Sequence, residues 1–158
     1  MLELNIRLIG NDEAIPYDLL LSADPSEQAL MAYLPHSSIY IAYLQDKLVA
    51  QYVLYPIDEQ EVEIKNIAVD DAYQGKGIGK LLLEDATLRA NDAGYNKLSI
   101  GTSNASIGQL YLYQQQGFEL SGVKMNFFID NYTEPIFENG IQCKHMIMLT
   151  KVLINDTL

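Results

Sequence analysis

Seven consecutive residues, Gln74-Gly75-Lys76-Gly77-Ile78-Gly79-Lys80, have the chemistry of an anion site. They follow residues 63–69, where Ile64, Ile67 and Val69 mix with polar residues as in a strand. They run into KLLLEDATLRANDAG, a helical pattern. The first turn of a helix leaves backbone N–H groups unpaired and carries the positive end of the helix dipole. Glycine permits φ > 0 and lets a phosphate come close to the backbone. Lys76 and Lys80 add positive charge. Two phosphate loops are excluded by spacing. The P-loop pattern G-x-x-x-x-G-K-[ST] fails because Leu81 follows Gly79-Lys80 and Gln74 stands five before Gly79. The dinucleotide pattern G-x-G-x-x-G fails because Lys80 occupies its third glycine position. What remains is Q-x-x-G-x-G.

The elements that must hold this loop are legible around it. Leu2, Leu4, Ile6 and Leu8 fall on one face of a predicted first strand. Pro16 opens a helix-like segment, YDLLLSA. A second helix begins at Asp24-Pro25, with Asp24 as N-cap and Pro25 at the first helical position. Residues 35–38 read as a loop. Strands over 39–44 and 48–57 form a hairpin, and a third strand follows over 62–69. The helix after the loop spans about 77–91, with a stripe at Ile78, Leu82, Ala86 and Ala90, and Gly94 at its C-terminal end. A strand over 97–101 leads to a helix capped by Asn104 or Ser106. Its apolar face is read as Ile107, Leu110 and Tyr111. The last two strands are placed at 118–129 and 143–153, with a long connection over 130–142.

The chain has 158 residues, which predicts one domain spanning 1–158. Hydrophobic residues make up 49% and charged residues 20%, as in ordinary globular proteins. No apolar run reaches transmembrane length, and no signal segment opens the chain, so no membrane partner and a cytoplasmic location are expected. The single Cys143 excludes an internal disulfide framework. A net charge of −11 argues against nucleic acid as a partner. That charge serves solubility or draws a cationic substrate. No His, Asp or Glu spacing suggests a metal.

The Q-x-x-G-x-G run resembles the acetyl-CoA pyrophosphate loop of the GNAT N-acetyltransferase family, [QR]-x-x-G-x-[GA], with Gln74, Gly77 and Gly79 in register. Downstream, NASIGQLYLYQQQGF resembles the family's N-x(n)-Y-x-x-x-G-F helix through Tyr113, Gly117 and Phe118. Asn104 stands nine residues before Tyr113, where many family members have about seven. The resemblance implies an α/β (α+β) fold in which helices flank a mixed, mostly antiparallel sheet with splayed fourth and fifth strands. It implies acetyl-CoA as cosubstrate. Pantetheine would enter between those strands and pair with the backbone of Ile67, Ala68 and Val69. The backbone of Gln74, Gly75, Lys76, Gly77, Ile78, Gly79 and Lys80 would hold the pyrophosphate, and Asn104 would contact the pantetheine arm. A homodimer is compatible with the resemblance.

The implied chemistry is direct attack of an amine on a thioester. A backbone N–H from residues 67–69 aimed at the oxyanion is worth roughly 3 kcal/mol. Freeing the lone pair of an alkyl amine of pKa about 10 at pH 7 costs roughly 4 kcal/mol, so a base helps. Glu63 matches the glutamate that lysine acetyltransferases of the family use, with Glu61 in reserve. Tyr113 matches the tyrosine that protonates the thiolate, while Tyr111 is read as core. Cys143 is read as a buried strand residue, His145 as a satisfied core histidine and His36 as a surface residue.

The acceptor is read as a small amine. A protein lysine or N-terminus is the alternative within the class; a non-catalytic acyl-CoA-binding module or a nucleotide-binding protein are alternatives outside it. Between Asn126 and Gln142 the chain carries Asp130, Glu134 and Glu138 and no Lys or Arg, which predicts a preference for polycationic acceptors.

Overall fold

The computed structural model describes residues 3–154. In chain order its elements are β1 (Leu4–Leu8), α1 (Tyr17–Ala23), α2 (Glu27–Tyr33), β2 (Ser38–Leu44), β3 (Lys47–Pro56), β4 (Glu61–Val69), α3 (Ile78–Asp92), β5 (Lys97–Ser103), α4 (Ile107–Gln115), β6 (Glu119–Lys124), α5 (Phe127–Asn131), β7 (Phe137–Glu138), β8 (Ile141–Gln142) and β9 (Met146–Val152). Seven strands form one sheet in the order β1-β2-β3-β4-β5-β9-β6, and β7 and β8 form a separate hairpin. Among the described residues only β4 and β5 run parallel; every other neighbouring pair is antiparallel. This is the mixed, mostly antiparallel sheet that the resemblance implies. Among the described residues no helix is long and apolar enough to cross a membrane.

Strand alternation divides the core between the two faces of the sheet. Ala42, Tyr52, Leu54, Val62 and Ile64 pack against Ile78, Leu82, Leu83, Ala86 and Ala90 of α3. Ile39, Ile41 and Val53 pack on the other face against Leu20 of α1 and Leu30 and Tyr33 of α2. Each fully buried leucine contributes about 1.5–3 kcal/mol, so these clusters hold the helices on the sheet. One irregularity decides what β4 presents. Val53 pairs with Asn66 but Leu54 pairs with Ile64, so Lys65 is an extra, bulged residue. The bulge reverses the alternation. Ile64 and Ile67, three apart, therefore both pack toward the α3 side, while Asn66 turns to α1 and α2.

Several expectations are corrected. The N-cap of α2 is Ser26, whose Oγ accepts from Ala29 N–H at 3.1 Å; Asp24 instead ends α1 and accepts from Ser26 N–H. Leu8, expected on the buried face of β1, is exposed, and Leu2 lies outside the described residues. The predicted strand over 118–129 stops at Lys124, where Asn126 takes φ +58° and starts α5. The connection over 130–142 contains the β7–β8 hairpin, which turns through Asn139 and Gly140, both at positive φ. Cys143 is buried as expected but precedes β9, as does the half-buried His145, whose Nδ1 accepts from Asn126 N–H at 2.9 Å. The α4 stripe is also rotated. Ile107 and Tyr111 are exposed and Tyr113 is the buried residue. The helix is wedged between the α3 N-terminus and the sheet, so Leu110, Leu112 and Tyr113 turn inward.

Candidate active site

The parallel pair β4–β5 is joined only from Glu61↔Lys97 to Ile64↔Ile100. Beyond the bulge at Lys65 the two strands part, although β4 continues to Val69 and β5 to Ser103. β3 still pairs with β4 there, and β9 with β5, so each strand has lost a neighbour on one side only. Alternate peptide groups of residues 65–69 consequently face a cleft of about 630 Å³ that opens between the strands.

The first turn of α3 closes one end of this cleft. Its N-cap, Gly77, has φ +85° and no side chain to cap the helix. The N–H groups of residues 78–80 are therefore left to a ligand. The φ at Gly77 is one that other residues adopt only under strain. Gly79 faces α4: a Cβ there would lie 3.5 Å from Leu112. Gln74 braces the approach, its Nε2 donating to Val69 O at 3.2 Å and Asp71 Oδ1 at 3.1 Å. Lys80 lies 4.0 Å from Glu84 one turn on, and Lys76 has no ion-pair partner among the described residues.

Tyr113 lies in the wall of the cleft at the far side of the gap and is 5% exposed. Burial raises its phenol well above the ordinary range, and the charge of Glu138 adds to this. It therefore carries its proton throughout the neutral range. Ser106, seven residues before Tyr113, also lines the cleft. Its Oγ donates to Glu138 Oε2 at 2.7 Å and lies 3.1 Å from Ser103 Oγ. Ser103 in turn donates to Cys143 Sγ at 3.1 Å. Burial pushes the Cys143 thiol up and the Ser103 bond opposes this, so the thiol stays protonated and is no nucleophile.

The opposite end of the cleft is built by α1 and the chain after α5. Asp24 and Tyr132 both line it, and Tyr132 OH donates to Asp24 Oδ1 at 2.7 Å. The Tyr132 ring stacks on Phe128, with centroids 5.7 Å apart. Asn66 fixes this end to the sheet: its Nδ2 donates to Leu20 O and Tyr33 OH, both at 3.0 Å, and its Oδ1 accepts from Gln51 at 2.7 Å. Lys65 lies over the rings of Tyr33 and Tyr55.

Residues 67–69, Gln74, Gly75, residues 77–80 and Tyr113 all line this one cleft. Three of the residues expected at the site stand elsewhere. Lys76 is outside the lining. Asn104 is outside it, with its side chain committed to the backbone: Oδ1 accepts from Lys144 and His145 N–H, and Nδ2 donates to Gln142 O. Glu63 is 6% exposed and outside the lining, with Oε2 3.5 Å from Lys65 Nζ. Of the three acids in the 126–142 stretch only Glu138 reaches the cleft; Asp130 and Glu134 are exposed elsewhere. Ser106 was legible from its spacing to Tyr113. Asp24, Lys65 and Tyr132 carry no local signal. Among the described residues no group of three or more His, Cys, Asp or Glu is placed to hold a metal.

Known proteins share this chain's sequence pattern and its fold. The acetyltransferase (GNAT) family profile matches residues 10–118. An uncharacterized N-acetyltransferase of Bacillus subtilis, YvbK, is 48% identical over 139 residues, covering 88% of each chain. A GNAT family acetyltransferase from Elizabethkingia anophelis, solved with acetyl-CoA bound, superposes with a TM-score of 0.93 at 49% identity, over 95% of this chain and 98% of that one. An IAA acetyltransferase from Bacillus cereus superposes with a TM-score of 0.92 at 42% identity, over 96% and 100%. The chain belongs to the acetyltransferase (GNAT) family of N-acetyltransferases.

Proposed function

We propose that the protein transfers the acetyl group of acetyl-CoA directly to a primary amine of a small cationic molecule. The observation that carries this reading is the splay of β4 from β5 between the α3 N-terminus and Tyr113. The residues present fit acetyl-CoA. The unpaired N–H groups at the start of α3 suit a pyrophosphate, and the strand gap suits an extended pantetheine arm. Acetyl-CoA supplies an activated acyl carbon and a thiolate leaving group. The backbone of residues 67–69 orients the thioester and offers N–H to the oxyanion. Tyr113 gives its proton, or a strong hydrogen bond, to the departing sulfur. Asn104 acts by holding residues 142–145 against the β5–α4 corner. Glu63 stands outside the lining and meets the cleft through its ion pair with Lys65, which does line it.

Two features support a small cationic acceptor. The acceptor end is bridged by the Asp24–Tyr132 bond, which narrows it against a folded protein chain. It also presents the carboxylates of Asp24 and Glu138. The test is acetyl transfer to a panel containing a diamine, a monoamine of similar reach, an anionic amine and a lysine peptide, at low and high salt. The diamine is expected to have the highest kcat/KM, falling with salt because screening weakens attraction between charges. Equal values across the panel without salt dependence would remove the cationic reading. Transfer to the peptide alone would move the acceptor to proteins.

A further inference from the structure

The β7–β8 hairpin brings a carboxylate into the cleft that Tyr113 also lines. Glu138 is half-buried and lines the cleft, and its Oε2 accepts from Ser106 at the N-terminal end of the helix that carries Tyr113. The hairpin is fixed there by further bonds. Asn139 Nδ2 donates to Ala105 O at 2.9 Å, and Asn104 holds Gln142 O and the N–H groups of Lys144 and His145. Glu63 meets different surroundings, facing Lys65 outside the lining. Of Glu63 and Glu138, only Glu138 lines the cleft; Asp24 lines it too, but its Oδ1 already accepts from Tyr132 OH and Ser26 N–H.

We propose that Glu138 binds the ammonium of the acceptor and takes its proton, an assignment that rests on the N-acetyltransferase reading above. An alkyl amine of pKa about 10 is only about one part in 10³ free at neutral pH, so a base at the reacting nitrogen has a large effect. The N–H proton passes to the Glu138 carboxylate, and the freed lone pair forms the N–C bond. The C–S bond breaks, and the thiolate takes a proton from Tyr113. The second proton lost by the new amide nitrogen restores the Tyr113 phenol, and Glu138 releases its proton to solvent. Glu138 is in electrostatic contact with Tyr113 on α4 and Cys143 before β9, and Asp24, Lys65, Lys80 and Tyr132 line the same cleft. The negative charge of Glu138 helps hold both protonated. Once Glu138 has taken the amine's proton that influence is gone, and Tyr113 becomes a readier donor just as the thiolate forms.

Glu138→Gln tests this because it keeps an oxygen for the Ser106 bond and removes the charge. We would measure kcat/KM against pH with a diamine for the native protein, Glu138→Gln and Glu63→Gln. Diamine binding to CoA-loaded protein is measured in parallel by calorimetry, which needs no turnover. Glu138→Gln is expected to lower kcat/KM by about 10²-fold near neutrality, with most of the loss regained toward pH about 10. Its diamine affinity should fall about tenfold, as for loss of a charge-assisted bond. A native-like pH profile with native diamine affinity overturns the proposal. So does a pH-restorable loss in Glu63→Gln that Glu138→Gln lacks. If the native protein acetylates no amine in the panel, the N-acetyltransferase reading fails instead. Calorimetry then decides whether Glu138 binds an ammonium, and unchanged affinity in Glu138→Gln would exclude that too.

Discussion

Tyr132 OH donates to Asp24 Oδ1 at 2.7 Å, joining residues 108 positions apart. Asp24 ends α1 and Tyr132 follows α5, so this bond links two walls of the cleft at the end proposed for the acceptor. It also keeps the Tyr132 phenol protonated, since burial and the Asp24 carboxylate both disfavour its ionised form.

Tyr132→Phe removes that link and keeps the ring stacked on Phe128. A hydrogen bond to a charged group is worth about 1.5–3 kcal/mol, so a fall in Tm of about 3–10 °C is expected. The acceptor KM should rise several-fold while the acetyl-CoA KM stays within about twofold, because the change lies away from the α3 N-terminus. Steady-state kinetics with each substrate varied in turn checks this. Equal changes in both constants would mean that Asp24 and Tyr132 brace the whole cleft.

Tyr113→Phe is expected to lower kcat by about 10²-fold or more and to leave acetyl-CoA affinity unchanged. Tyr111, 64% exposed on the outer face of the same helix, gives the control: Tyr111→Phe should retain native kcat. The raised pKa of Tyr113 adds a pH signature. Its proton is present below the ordinary phenol value of about 10 and lost only above it. The native kcat at saturation should therefore show no decline below pH about 10 that Tyr113→Phe abolishes.

Gly77→Val places a β-branched residue at φ +85°, where L side chains are strained, although the space around it is open. The N-cap must then shift, and the N–H groups behind it lose their aim. The stabilisation of the native protein by acetyl-CoA, measured as a Tm shift, should disappear in Gly77→Val. Gly79→Ala should keep part of the shift, because its Cβ would make an ordinary 3.5 Å contact with Leu112. A full native shift in Gly77→Val would remove the pyrophosphate assignment.

Tyr33 contributes a pH dependence of stability. Burial pushes its phenol up to about 12, against a hydrogen bond from Asn66 that lowers it. The folded state therefore holds this proton more tightly than the unfolded chain. The sign follows: the contribution is complete below the ordinary value of about 10 and is lost as pH rises toward about 12. Alkaline denaturation should begin above pH about 10. Tyr33→Phe should be less stable at neutral pH and flatter in its alkaline limb. Parallel limbs in the two proteins would assign alkaline unfolding to the buried Tyr52 and Tyr113 and the half-buried Tyr132.

The sequence alone determined those features whose causes are local. The Q-x-x-G-x-G run dictates an uncapped helix start, because glycines tolerate φ > 0 and offer no side chain to occupy the N–H groups. The four-residue stripe of α3 dictates its buried face, and residues 62–69 read as a strand without help from the rest of the chain. Tyr113 was legible through its spacing to Gly117 and Phe118.

Tertiary structure decided everything that depends on which segments meet. The bulge at Lys65 depends on how β4 pairs with β3, and it puts Ile64 and Ile67 on one side of the sheet and Asn66 on the other. Tyr111, expected in the core, turns outward because the α3 N-terminus and the sheet set the rotation of α4, while the helix's own stripe is weak. Asn104 turns from the cleft because residues 142–145 supply better-placed partners. The end of the cleft proposed for the acceptor is assembled from Asp24 and Tyr132, at two helix ends, and Glu138, on the β7 strand. No periodicity links such residues in one dimension; only the packing of α1, α5 and the β7–β8 hairpin around the splayed strands brings them to the same cleft.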